Sequence, residues 1–317
     1  MGEEMRGVEE GTGWRKAIPE ARDRLQSRTL VAVAGALLVL ETVAVLRQPF
    51  FIWGELHVRE QILVEIVTLS VAFAVLVLSL RAATVAGALV GGMICFLLVR
   101  GTVSSQYTIV RSGLSPLALL FMLTFLATRA GRRVKAQAGL AEKRRGRSAA
   151  QVIANLSIAG LAVSPHAFDL VTGGGGCCGA GYYKIWVWPA MTLMCLAAMV
   201  EATADTVSSE IGQAFGGRPV MLVGLRRVEA GTDGGVTMMG SCAGVVAGAL
   251  VASVGIWALR LRVLDGVIAF LAGICGLFFD SLLGATVERR GWLGNDLVNF
   301  FSTVFAAGVA LGALWWI

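Results

Sequence analysis

Two carboxylates and a hydroxyl recur at every fourth residue near the end of a long apolar stretch: Glu201, Asp205 and Ser209. A continuing helix would place the three side chains along one stripe facing neighbouring helices. Adjacent carboxylates repel each other unless a cation or an arginine lies between them. Mg²⁺ binds to one or two carboxylates while it keeps waters for phosphate oxygens. The stripe therefore suits Mg²⁺ beside a phosphate, and a polar contact to a neighbouring helix is the alternative.

A second polar group, residues 231–237 with the sequence GTDGGVT, lies where the next apolar stretch begins. Glycines on both sides of Asp233 permit backbone conformations that turn successive N–H groups toward an anion. The helix that follows would offer its N-terminus to the same anion. An ordinary turn is the alternative, because Asp-Gly is common in turns.

A third group spans the last two apolar stretches. Asp280 lies inside an apolar run, where an unpaired charge costs at least about 2.5 kcal/mol, so we expect it to have a role. Asn295 and Asn299 share a helical face, with Asp296 nearby. These three residues suit a second cation, a ribose contact or a helix cap.

Basic residues are concentrated after the fourth apolar stretch, at Arg129, Arg132, Arg133, Lys135, Lys143, Arg144, Arg145 and Arg147. On the helix that follows, Gln151 and Asn155 share a face with Arg147. A polar helix start would also explain these two residues.

Nucleophilic catalysis has little support in the sequence. Four of the six cysteines lie in apolar runs and are typical of small buried hydrophobic residues. We expect the loop at 173–179, with Cys177 and Cys178, to be exposed and flexible. His57 and His166 are expected on the side of the membrane opposite the carboxylates. This inventory fits phosphate and metal chemistry better than acyl transfer.

Nine apolar stretches must position these groups, and each approaches the roughly 20 residues that a membrane-spanning helix needs. They are residues 29–46, 62–80, 82–99, 114–128, 149–164, 185–204, 236–259, 263–286 and 298–317. We predict an all-α, polytopic transmembrane helix bundle of about nine spans, within a range of eight to ten. Glycines four residues apart predict close helix packing at three places: Gly87 with Gly91, Gly244 with Gly248, and Gly308 with Gly312.

Composition supports the membrane assignment. Of the 317 residues, 56% are apolar and only 15% are charged, whereas soluble domains carry about 25% charged residues. A soluble globular enzyme, a disordered chain and collagen are therefore excluded. We expect a solvated cytoplasmic tail at 1–28, an extra first span with its loop at 29–61, and the main membrane domain at 62–317. The basic loop places the N-terminus in the cytoplasm of a bacterial inner (plasma) membrane.

Four ordered blocks resemble the DUF92 family of integral membrane proteins, also called the TMEM nineteen family. They are 141–155 (AEKRRGRSAAQVIAN), 205–212 (DTVSSEIG), 231–237 (GTDGGVT) and 280–299 (DSLLGATVERRGWLGNDLVN). The family includes phytyl-phosphate kinases. The resemblance implies transfer of a phosphoryl group from a nucleoside triphosphate to a prenyl monophosphate. The expected nucleotide is CTP.

Under this resemblance, our hypothesis assigns Asp205, Glu210 and Asp280 to catalysis and to Mg²⁺, with Asp233 as a further metal ligand. The expected nucleotide and phosphate contacts are Lys143, Arg144, Arg147, Gly231, Thr232, Asp233, Gly234, Gly235, Asn295, Asp296 and Asn299. The expected partners are the nucleotide, the prenyl phosphate and the lipid bilayer, with no nucleic acid.

Two alternatives remain open. Glycine-rich helices with buried acids also line the pathways of small-molecule and ion transporters. A CDP-alcohol-type head-group transferase would also use acids at one membrane face, but its Asp-Gly-x-x-Ala-Arg pattern is not in this sequence.

Overall fold

The computed structural model describes residues 18–47, 56–103, 108–140, 146–164, 188–314 and 316. Several predictions fall elsewhere in the chain. The expected phosphate contacts Lys143 and Arg144, the loop at 173–179, and His166 lie outside the described residues.

The described residues form ten α-helices: α1 (Glu20–Arg47), α2 (Leu56–Ser79), α3 (Val85–Thr102), α4 (Leu114–Arg129), α5 (Arg132–Gln137), α6 (Ala149–Ala162), α7 (Trp188–Phe215), α8 (Met238–Leu259), α9 (Val263–Leu283) and α10 (Asn295–Leu314). A π-helical turn, Gly284–Glu288, continues α9. Two short antiparallel strands, β1 (Val220–Met221) and β2 (Gly235–Val236), pair in the connection between α7 and α8.

The prediction of an all-α polytopic membrane bundle is confirmed. Seven described helices are long and apolar enough to cross a membrane, and the shorter helices α4 and α6 are also apolar. These nine helices correspond to the nine predicted apolar stretches. The sixth differs most, because α7 continues to Phe215 instead of ending near residue 204. The added turns carry Asp205 and Glu210.

Helix α7 lies at the centre and packs against α4, α6, α8, α9 and α10. Small residues permit this close approach, since a Cβ on Gly244 of α8 would lie only 2.6 Å from Ala204 O of α7. Gly248 also faces α7, so the second predicted glycine pair is confirmed as a packing site. The prediction for Gly308 and Gly312 is wrong, because no described atom lies within 4 Å of a Cβ at either position.

The chain is already helical at Glu20, nine residues before the predicted start of the first span. The first turns of α1 are mostly exposed, but they are tied to the loop before α10. Gln26 donates to Trp292 O at 2.7 Å and accepts from Gly294 N–H at 2.8 Å. Residues 20–28 of the predicted tail therefore brace the beginning of α10.

Candidate functional site

Most of the predicted site residues line one cavity of about 250 Å³, which we call the polar cavity. It lies between the beginning of α6, the last turns of α7, the loop 231–237, the end of α9 and the beginning of α10. The predicted residues that line it are Arg147, Asp205, Glu210, Gly231, Thr232, Asp233, Gly234, Gly235, Asp280, Asn295 and Asn299. Segments that are far apart in sequence thus meet in one place.

Arg147 is fixed at the polar cavity by backbone pairing with the turn between α2 and α3. Its N–H donates to Ala82 O at 2.9 Å. Gly146 before it has a φ of +71°, and a Cβ there would lie 2.6 Å from the carbonyl carbon of Ala82, so the pairing requires glycine. The Arg147 guanidinium donates to Thr206 Oγ1 at 3.4 Å and attracts the Asp205 carboxylate. The arginine is thereby held beside the acidic stripe of α7.

The polar residues at the beginning of α6 cap that helix. Ser148 Oγ accepts from Gln151 N–H at 3.2 Å, and Gln151 Oε1 accepts from Ser148 N–H at 2.8 Å, which is a capping box. Asn155 Nδ2 donates to Gln151 O at 2.8 Å. The helix-start explanation is therefore correct for Gln151, although Gln151 and Asn155 also line the polar cavity.

Glu210, a predicted magnesium ligand, forms an ion pair with Lys135 of α5. Lys135 is 1% exposed, and its Nζ also donates to Thr128 O at 2.9 Å and to Ala127 O at 3.4 Å. An ammonium group has three donors, so these three acceptors saturate it. A magnesium ion at Glu210 would compete with this buried cation. The geometry therefore favours a structural role for Glu210.

The glycine-rich loop is pressed against the π-helical turn that follows α9. A Cβ on Gly234 would overlap the backbone of Ala285, and a Cβ on Gly284 would lie 2.7 Å from Gly234 N. Gly234 also has a φ of +75°, a backbone angle that residues with a Cβ rarely adopt. The two glycines permit a backbone-to-backbone contact that brings Asp233 and Asp280 to the same cavity.

Two amides of the predicted phosphate cradle are used within the loop itself. Thr232 N–H donates to Glu229 O at 3.2 Å, and Gly235 N–H donates to Thr232 O at 3.0 Å. The Thr232 hydroxyl also donates to Glu229 O, at 2.8 Å. These bonds stabilise the turn. The N–H groups of Thr232 and Gly235 are therefore already used and do not belong to the predicted phosphate cradle.

Carboxylates from α7 and α9 lie close enough to repel each other. The charge of Asp280 is opposed by three neighbours, which are Glu201, Asp205 and Glu288. When the Asn299 amide is oriented to suit its neighbours, its Nδ2 donates to Asp280 Oδ2 at 3.2 Å. In the part of the protein that the structure describes, the buried Oε2 of Glu201 has no hydrogen-bond partner. Among the described residues the cluster therefore holds more carboxyl groups than cationic partners.

This excess fits a divalent cation. Burying a carboxylate oxygen without a partner is costly, and a cation would remove that cost. Within the described residues, no three carboxylate, histidine or cysteine side chains already converge as metal ligands. Asp205 and Asp280 are the residues that would hold Mg²⁺, which would supply positive charge for phosphate oxygens.

Asp296 lies beside the polar cavity and accepts a hydrogen bond from Ser27 Oγ of α1 at 2.6 Å. It lines an adjoining cavity of about 220 Å³, which shares Gln151, Asp233, Glu288 and Asn295 with the polar cavity. The bond to α1 gives Asp296 a role in fixing the beginning of α10.

Lys135 and Glu288 were not predicted as site residues. Glu288 lies two helical turns after Asp280, so its spacing is a signal that the sequence contains. Lys135 lies in the basic run at 129–147, where the sequence does not distinguish it from residues that set the membrane topology. Its pairing with Glu210 depends on tertiary structure.

The comparisons with known proteins agree with the architecture. Residues 68–307 match the family model described as integral membrane protein DUF92. An uncharacterized membrane protein of Synechocystis sp. is 31% identical over 195 residues, which cover 61% of this chain and 70% of the relative. Protein VTE6, chloroplastic, of Arabidopsis thaliana is 28% identical over 203 residues, which cover 63% of this chain and 58% of that protein.

A third relative, an uncharacterized membrane protein of Methanocaldococcus jannaschii, is 35% identical over 119 residues, which cover 38% of this chain and 49% of the relative. No solved structure is significantly similar to the chain.

Proposed function

The chain belongs to the DUF92 family of integral membrane proteins, and from that premise we propose that it is a membrane kinase. The donor is a nucleoside triphosphate, CTP in our proposal. The acceptor is a prenyl monophosphate such as phytyl or geranylgeranyl phosphate, which becomes the diphosphate. We place the reaction in the polar cavity, on the cytoplasmic side of a bacterial inner membrane.

One observation carries this proposal: acids from α7 and α9, the arginine before α6 and the loop 231–237 line the same cavity. Phosphoryl transfer depends mainly on positioning two polyanions and stabilising their charge. A cavity with one fixed arginine and an excess of carboxylates can do both once a divalent cation is bound. Such a set suits phosphate groups better than neutral substrates.

The reaction needs no strong general base. A phosphate monoester has its second pKa near 6, so its attacking oxygen is already largely deprotonated at neutral pH. That oxygen would form a bond to the γ-phosphorus, the bond to the bridging oxygen would break, and the nucleoside diphosphate would leave. Among the described residues that line the polar cavity there is no histidine.

Arg147 and the acidic pair have different tasks in this proposal. Arg147 would pair with a phosphate of the acceptor and hold it in line with the donor. Asp205 and Asp280 would hold Mg²⁺, which would neutralise the oxygens of the donor phosphates. Asn299, which donates to Asp280, would keep that carboxylate oriented.

The test uses the full-length protein purified in detergent, a panel of prenyl monophosphates, the four common nucleoside triphosphates and Mg²⁺. Mass spectrometry should detect a prenyl diphosphate in at least one combination, with CTP as the best donor. No diphosphate in any combination would contradict the proposal. A product that carries CMP would indicate a head-group transferase, and flux across sealed vesicles without chemical change would indicate a transporter.

A further inference from the structure

A second cavity, of about 400 Å³, lies between α2, α3, α4 and α6, and we call it the apolar cavity. Its inner part is formed by Phe73, Gly91, Leu117 and Leu120. Along α4 the lining extends from Leu117 to Arg129, about 18 Å at roughly 1.5 Å per residue. One half of the hydrocarbon core is about 15 Å thick. With Arg129 placed at a membrane edge, the apolar cavity would extend to about the bilayer centre.

The other end of the apolar cavity is basic. Four arginines line it, Arg81, Arg129, Arg132 and Arg147, together with Lys135, whose charge is already paired with Glu210. There is no Asp or Glu among the described residues that line this cavity. Basic residues at a membrane edge often only set topology. Here they close one end of an apolar space, and the occupant that complements both parts has an anionic head and a hydrocarbon tail.

The two cavities meet at Arg147 and Asn155, which line both of them. Arg147 is fixed there by its backbone pairing with Ala82. A phosphate bound to Arg147 at this junction would have its tail in the apolar cavity. Its oxygens would face Asp205 and the polar cavity, where the proposed donor binds.

Gly91 and Leu120 line the apolar cavity away from its basic end. A Cβ on Gly91 would meet Phe73 Cε1 at 3.8 Å, an ordinary contact, so larger side chains at this position would project into the space. Gly87, one turn nearer the basic end, differs because a Cβ there would lie 2.7 Å from Arg147 O. Glycine at position 87 serves packing, whereas glycine at position 91 leaves room.

We propose that the apolar cavity binds the tail of a single-chain lipid monophosphate, with its phosphate at Arg147 and its tail end beside Gly91 and Leu120. This inference rests on the proposed function for the identity of the acceptor. It adds a binding site for the acceptor and two residues that determine which tail length fits. Cavities of this volume are typical of sites that enclose organic ligands.

The first test compares two substitutions of the same kind on α4. Leu120→Trp fills the inner end of the apolar cavity, whereas Leu126→Trp adds the same bulk at a position that is 56% exposed and outside the lining. Leu120→Trp should lower kcat/KM for geranylgeranyl phosphate at least about 10-fold relative to geranyl phosphate, the scale of discrimination by apolar pockets. Leu126→Trp should leave that ratio unchanged. Equal ratios in both variants would contradict the site.

A second test uses the unmodified protein, so it does not depend on variants that fold. A geranylgeranyl phosphate analogue with a diazirine at its tail end is irradiated with the full chain in detergent. Peptides containing Leu117 and Leu120, or Gly91, should carry the label. Unlabelled geranylgeranyl phosphate should compete, whereas inorganic phosphate and two-chain phosphatidic acid should not. Labelling confined to exposed positions such as Leu126, or equal competition by phosphatidic acid, would overturn the inference.

The two tests separate this inference from the proposed function. Labelling inside the apolar cavity without turnover of any nucleotide would support the lipid site and contradict the kinase. Turnover with labelling only outside the cavity would support the kinase and contradict this site.

Discussion

The two ends of helix α9 use the same residue type in different ways. At its beginning, Asp265 accepts two hydrogen bonds from Arg262, at 2.9 and 2.7 Å. These bonds raise the pKa of the Arg262 guanidinium above its ordinary value. At the other end, about 22 Å away along the helix, Asp280 faces the repelling charges of Glu201 and Asp205. The first aspartate is balanced by its own neighbour, whereas the second belongs to a cluster in which carboxyl groups outnumber the cationic partners among the described residues.

This difference separates charges that stabilise the fold from charges that are held for a ligand. An acid in a membrane protein must be compensated, because burying it alone is costly. Asp265 has its compensation within one turn of the same helix. The cluster around Asp280 obtains only part of its compensation from Arg147 and Asn299. We infer that a bound cation completes it.

The largest expected effect concerns the ion pair between Lys135 and Glu210 at the polar cavity. Lys135→Met would leave the partly buried Glu210 without its cation, which should destabilise the protein by about 3 kcal/mol. The double variant Lys135→Met with Glu210→Gln should recover most of that loss, because no unpaired charge remains. Chemical unfolding in detergent measures both. If the single and double variants are equally unstable, the ion pair does not stabilise this end of the bundle.

The next effect compares the two aspartates of α9 directly. Asp280→Asn should lower kinase activity at least about 100-fold, the scale for losing one group that stabilises transition-state charge. Asp265→Asn makes the same substitution at the other end and should preserve most of the activity. Initial rates at saturating Mg²⁺, with thermal unfolding as a folding control, make the comparison. Equal losses of activity would mean that the two ends do not differ in function.

The smallest effect concerns the contact between the glycine-rich loop and the π-helical turn. Gly234 and Gly224 both have positive φ, but a Cβ at Gly224 has no described atom within 4 Å. Alanine at either position adds about 1–2 kcal/mol of backbone strain, and only Gly234→Ala also collides with Ala285. Thermal unfolding should therefore show a lower midpoint for Gly234→Ala than for Gly224→Ala. Equal midpoints would argue against a tight contact at Gly234.

The sequence predicted the membrane helices well, because apolar length is a local property. It placed Asp205, Asp233 and Asp280 near one another only through the order of the spans and the sides of the membrane that their connections occupy. It ended the sixth span near residue 204 and considered a helix continuing through Ser209 only as a condition for the acidic stripe, whereas α7 continues to Phe215. Helix continuation there depends on packing against α8, through glycines that sequence alone does not pair.

Contacts between distant segments were the least predictable features. Gly234 was interpreted as part of a phosphate cradle, whereas the structure uses it to approach Ala285. Glu210 was interpreted as a metal ligand, whereas it is paired with Lys135. Both residues have a local pattern that fits ligand binding. Their neighbours come from other helices, which no local pattern specifies.

The most direct measurement follows label from CTP, radiolabelled in its γ-phosphate, into geranylgeranyl phosphate in the unmodified protein and in Asp205→Asn, with and without Mg²⁺. We expect labelled geranylgeranyl diphosphate only from the unmodified protein with Mg²⁺, while Asp205→Asn remains folded and forms almost none. Equal labelling by Asp205→Asn, or equal labelling when Mg²⁺ is removed by a chelator, would contradict a magnesium-dependent kinase site in the polar cavity.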